Sequence, residues 1–194
     1  MTTIAVPTTD MNYSDFASAL GLMAVGEEAF PALMAAGSPG SDGSGSLNLT
    51  YWRCRKTEII TTLGCATQST AAAATPSLCR MGLFTVAANG DLTLVAATAN
   101  DVNMFNGTYS KVERALTASY TKVAGTEYAT GIIVVSAAAL PNFCGSAAGP
   151  QISGSAAPGR GWRRKATGLT DLPASLANSA LSNSGSGPIF TWAR

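Results

Sequence analysis

The chemistry this chain offers is limited by one absence: there is no histidine among its 194 residues. Acyl transfer by a Ser-His-Asp or Cys-His arrangement needs an imidazole as base, so that class is excluded. No local motif suggests a Ser-Lys pair. Paired carboxylates hydrolyse glycosides when two of them flank a cleft. Here the eleven acidic residues are scattered, and Glu27-Glu28 precedes the β-rich region. Four widely spaced cysteines without histidine make a poor structural metal set. Asp91 and Asp101 with loop carbonyls are a candidate calcium pair, although Asp91 also suits plain turn chemistry. The reading is therefore a chain with no enzymatic activity and no cofactor.

Two groups of side chains remain that suit binding. Arg160-Gly161-Trp162-Arg163-Arg164-Lys165 is the one dense basic run. Trp162 could stack on a sugar while Arg163 and Arg164 meet an anionic polymer, so these three are the candidate surface-recognition residues. The plainer reading is an edge segment whose charges face water or pair with carboxylates. Tyr51, Trp52 and Trp192 form a second possible sugar platform, or else core and cross-strand packing.

Composition narrows the partners. Twelve basic against eleven acidic residues give a net charge of +1, and a nucleic-acid binder normally shows a basic excess. Charged residues make up only 12% of the chain, about half the usual share. A surface so poor in charge favours association, so a homo-oligomer or a permanent partner is expected. No apolar run reaches the roughly 18 residues of a membrane span, so no membrane partner is expected. The start, Met1 to Pro7, has neither a basic n-region nor a long apolar stretch and does not read as a signal peptide. Without that signal the cysteines read mostly as buried free thiols, with one disulfide among Cys54, Cys65 and Cys79 left open.

These residues must be positioned by three regions. Residues 1–36 read as an anchoring and oligomerisation segment. Phe16, Ala19, Leu20 and Met23 follow helical spacing behind a Ser14 cap, and Phe30 belongs to a second short helix. Phe16, Leu20, Met23 and Phe30 are too few to bury one another, so they are expected to pack on another surface. Residues 37–46 are Gly/Ser-rich and read as a flexible linker. Residues 47–194 read as a β-sandwich of short strands.

Within that sandwich, Asn89-Gly90 between two apolar runs predicts a hairpin over 79–97 with a type I′ turn. Asp101 to Phe105 predicts a turn of helix. Ser110–Leu116 and Ser119–Val123 predict two strands, and Gly131 to Val135 a central strand buried on both faces. Residues 143–160 and 166–187 read as loops, and Pro188–Arg194 as a final strand.

The run Thr75-Pro76-Ser77-Leu78-Cys79-Arg80-Met81-Gly82-Leu83-Phe84-Thr85-Val86, continuing through Ala88 to Ala96, resembles β-sandwich domains of actinobacterial, mycobacteriophage-type, phage minor tail and appendage proteins. Val123 to Val134 and Gly168-Leu169-Thr170-Asp171-Leu172-Pro173-Ala174-Ser175 extend the resemblance over about 47–194. It implies a jelly-roll-like all-β fold similar to carbohydrate-binding jelly-rolls. It also implies a non-enzymatic virion protein, a minor tail or appendage component that contacts the host surface. The expected partners are other virion proteins, further copies in a homotrimer and a host cell-surface glycan. A capsid decoration protein or head fibre that stabilises the shell, and a stand-alone carbohydrate-binding module, are the alternatives.

Overall fold

The structure, a computed structural model, describes residues 27–29, 39–69, 76–146, 163–184 and 186–194. The helix expected around Phe16, Leu20 and Met23 lies outside these residues, as do Phe30 and Trp162. The second short helix, expected over 27–34, is not formed at its start, where Glu27–Glu28 is a strand paired with the C-terminal strand. The described chain is all-β and forms a sandwich of two antiparallel sheets. Its strands are β1 (Glu27–Glu28), β2 (Ser46–Arg53), β3 (Glu58–Ala66), β4 (Pro76–Val86), β5 (Leu92–Ala97) and β6 (Lys111–Lys122). They continue with β7 (Glu127–Ser136), β8 (Arg163–Ala166), β9 (Ser175–Leu176), β10 (Ser182–Asn183) and β11 (Thr191–Ala193).

The small sheet runs β1-β11-β3-β6 and the large sheet β10-β8-β2-β7-β4-β5-β9. The ribbon β2–β3 pairs with the ribbon β6–β7, β2 with β7 and β3 with β6, and both enclose the β4–β5 hairpin. This nesting of ribbons is jelly-roll-like.

β7 is central, between β2 and β4. Its β-branched run explains why: Ile132 and Val134 face the space between the sheets, and Ile133 faces the opposite side. The inner core sets Ile60, Leu63 and Cys65 against Met81, Leu83, Tyr128, Ile132 and Val134. A second core lies on the outer face of the large sheet, where Leu47, Leu49, Phe84 and Ile133 meet Leu172 and Leu181. Gly82 and Gly131 are cross-strand partners. A Cβ on Gly131 would stand 2.9 Å from the Phe84 ring and one on Gly82 3.3 Å from it, so the paired glycines make room for that ring.

The outer cover is built from 167–184, which composition reads as loop. Its two-residue strands β9 and β10 and the 3-10 turn Asn178–Ala180 carry little regular structure. Contacts from far along the chain hold it instead. Arg80 grips Asp171 with two hydrogen bonds of 2.8 and 2.9 Å, and Asp91 accepts from the Asn178 N–H at 2.7 Å.

Four other expectations change. The hairpin turn at Asn89-Gly90 is not type I′, because only Gly90 has positive φ (87°) and Asn89 does not. The Gly90 N–H bonds to Ala87 O and the Ala87 N–H to Asp91 O, a three-residue loop with a glycine bulge. The Asn89 side chain accepts the Asp91 N–H, which favours this local turn. The two strands expected across 110–123 are one strand, β6, whose register against β3 shifts between Ile60 and Thr62. The gap in the sequence signal falls on this irregularity, where Leu116 bridges to Thr98 instead of to β3. Asp101 to Phe105 makes a turn closed by Met104 N–H to Asp101 O.

The described part of the Gly/Ser region, 39–46, does not behave as a free linker. Gly45 bonds to Val134 and Leu169, and Ser41 and Ser44 bond to Pro141 and Ser136. These small residues are tied to the end of β7, to Leu169 of the cover and to the 141–142 loop.

Candidate interaction surface

Arg163 and Arg164 are interior residues, contrary to the expectation of a recognition surface. The Arg163 side chain is fully buried. It donates to Asn48 Oδ1 (2.6 Å), Gly40 O (2.8 Å) and Gly187 O (3.3 Å), and Asp42 Oδ2 lies 3.1 Å away. Arg164 donates to the Asn178 side chain and to Leu181 O (2.7 Å). Both guanidinium groups serve as hubs that collect carbonyls from distant segments. They pin β8, the 39–46 strip and the cover to one another, and neither is presented to a ligand.

The aromatic platform is also internal. Trp52 and Trp192 are buried. Trp52 stacks on Tyr128 at 5.3 Å and donates to Thr130. The Trp192 indole lies over Gly64, where a Cβ would come within 2.1 Å of the ring, and its N–H donates to Glu113 at 2.8 Å. Trp52 and Trp192 therefore pack the domain. The four cysteines are free thiols, and burial pushes them up from their ordinary value, Cys79 to about 11. They are weak nucleophiles. Among the described residues no cluster of His, Cys, Asp and Glu could hold a metal ion. Asp91 is engaged in the hairpin, and Asp101 accepts from Arg114 Nε at 2.6 Å.

What the structure does present is the loop end formed by 67–69, 101–110 and 141–146. Thr67 is its keystone. Its hydroxyl is buried and bonds to Gly107 O (2.7 Å), and the Thr67 backbone bridges to Phe143. The Tyr109 N–H bonds to Gln68 O at 3.0 Å. Phe105 and Phe143 meet edge to face beneath, with ring centroids 5.2 Å apart. On this base Tyr109 stands 75% exposed, at φ 49°. It is the only described non-glycine residue with positive φ.

A bulky residue in the left-handed region carries about 1–2 kcal/mol of strain. Among the described residues, the connection that carries the ring is neutral and polar. Asn103, Asn106 and Thr108 are exposed in the same connection, with Val102 at 40%. The nearby charges are paired, Asp101 with Arg114 and Lys111 with Glu113. Arg114 holds the Asp101 carboxyl below the usual carboxylate range, against the opposing effect of burial. A rigid base, a projecting aromatic ring and neutral amide and hydroxyl groups suit the C–H faces and hydroxyls of a sugar better than a charged polymer.

No protein-family model matches the chain, and no curated protein matches it.

Sequence reasoning missed Tyr109. The Asn106-Gly107 turn signal beside it was legible, but the positive φ belongs to Tyr109 itself and follows from its tie to Gln68. A direct consequence is expected in stability. Tyr109→Gly should raise the unfolding free energy by about 0.5–1 kcal/mol, since strain relief exceeds the entropy that glycine adds to the unfolded chain. Denaturant melts of the two proteins check this. A destabilised Tyr109→Gly would mean that the ring serves the fold.

Proposed function

We propose that this protein is a non-enzymatic structural component of a phage particle, a minor tail or appendage protein that meets the host surface through the Tyr109 loop end. The observation that carries the contact is the strained, exposed Tyr109 on a rigid loop base. The virion assignment is supported by the resemblance over 47–194. Its quoted runs fall on β4, β5, β7 and the outer cover, the parts that build the two cores. The proposed ligand is a neutral cell-surface glycan. Other virion proteins are the proposed permanent partners, with a homotrimer as the working unit.

The opposite end of the sandwich favours a second reading. There Ile59 is 67% exposed and Val123 48%. This apolar pair suits attachment to another virion protein, and it would serve a capsid decoration protein equally well.

Mass spectrometry of purified particles should find the chain, and labelled electron microscopy should place it on the tail or an appendage. Absence from the particles would end the virion reading, and a position over the shell would favour decoration. Particles carrying Tyr109→Ala should adsorb to host cells several-fold more slowly, because many weak contacts act together. Unchanged adsorption would remove the loop end from host recognition.

A further inference from the structure

At the end of the sandwich away from Tyr109, three strands converge on one ammonium group. Lys122 closes β6, and its side chain is fully buried. Its Nζ contacts Glu27 Oε2 of β1, lies 2.8 Å from Glu58 Oε1 of β3, and donates to Lys56 O at 3.1 Å. The Glu27 side chain is 8% exposed. The Arg55 backbone N–H donates to the other Glu27 oxygen, Oε1, at 2.6 Å. Cys54 Sγ, 3.8 Å from Nζ, closes one side, and the ring pair of Trp52 and Tyr128 lies in the same core.

This arrangement exceeds what a salt bridge needs. An amine nucleophile touches one carboxyl group, a second carboxylate sits where it can take a proton, and a backbone N–H polarises the oxygen facing away from the amine. These are the parts of an acyl-transfer site. We infer that Lys122 and Glu27 form an intramolecular amide crosslink, with Glu58 as the proton carrier and the Arg55 N–H as the oxyanion donor.

The step balances without any co-reactant. Lys122 Nζ bonds to Glu27 Cδ, and the Cδ–Oε2 bond breaks. Two of the three ammonium protons leave with that oxygen as water, carried by Glu58, and Oε1 remains as the amide oxygen. Before reaction the site is an ion pair. Burial lowers the affinity of Lys122 for its proton, but Glu27 and Glu58 more than reverse this and hold it above its ordinary value. Burial alone would raise Glu58, and Lys122 and Lys56 hold it low. Moving one proton from Lys122 through Glu58 to Glu27 Oε2 leaves the total charge unchanged and gives a neutral amine facing a neutral carboxyl group, which it attacks. Lys122 and Glu27 are removed from water, which disfavours their charged forms, while Glu58 is 32% exposed and can pass protons to solvent.

β1 and β6 are the two outer strands of the small sheet. The crosslink would join its edges and fix the N-terminal strand to the sandwich against force. Sequence offers no motif for it, because Glu27 and Lys122 are far apart in the chain and meet only on folding.

The purified full-length chain decides the matter by peptide mapping and intact mass. The expected result is a mass one water below that of the sequence, with the Glu27 and Lys122 peptides recovered as one branched species. Glu58→Gln should retain the fold and show the full mass of its sequence, with the two peptides separate. Separate Glu27 and Lys122 peptides in the folded wild-type protein would overturn the inference, whether or not the variant folds. Loss of water in Glu58→Gln would overturn the role given to Glu58.

Discussion

Asp42→Ala is expected to lower the unfolding free energy by about 3–5 kcal/mol, because it leaves the Arg163 guanidinium buried without a counter-charge. Burial already depresses Arg163 from its ordinary value, and Asp42 is the opposing influence. Asp42 also accepts from the Ser184 hydroxyl at 2.7 Å and lies 3.5 Å from Lys165 Nζ. One carboxylate thus ties three segments. The remaining acceptors on Arg163 are neutral and cannot replace a charge in the interior. Urea melts should show a lower midpoint with an unchanged slope. Asp171→Ala is the control. Asp171 is half exposed on its ion pair with Arg80, so its loss should amount to about 1 kcal/mol or less. Equal effects of the two substitutions would show that Arg163 reaches solvent when Asp42 is gone.

The contrast between those two aspartates explains what the sequence could and could not reveal. β7 and the β4–β5 hairpin were legible because their signals are local: a β-branched run in one, Asn89-Gly90 between apolar runs in the other. The state of 39–46 was not legible. Gly and Ser leave the backbone free, and what docks it is Val134 O, Pro141 O and Arg163, all distant in the chain. The basic run misled for the same reason. Arg163 and Arg164 look like surface charge until the carbonyls of Gly40, Gly187 and Leu181 are brought to them. Tyr109 and the Lys122 cluster depend on a backbone angle and on three separated strands. Composition and spacing carry neither.

The same distinction between local signal and assembled environment sets the second large effect. Val134→Asp is expected to abolish cooperative folding. Val134 is 3% exposed in β7, opposite Ser46 of β2 and Cys79 of β4. Its neighbours in the inner core are apolar side chains such as Ile60, Leu63 and Met81. A carboxylate there would have no partner, and burying it costs several kcal/mol in addition to the packing lost with valine. A domain of this kind has about 5–15 kcal/mol in total, so the substitution consumes most of it. Strand β7 also holds both cores in register, so local relief by rotating the strand would expose Ile133 and Ile132 in turn. The variant should be recovered as aggregate, or as a soluble chain without a sharp thermal transition. Thr121→Asp on the exposed face of β6 should stay within about 0.5 kcal/mol of the parent. A soluble Val134→Asp protein with a cooperative melt near the parent's would mean that water reaches Val134 and that the inner core does not extend to this end of β7.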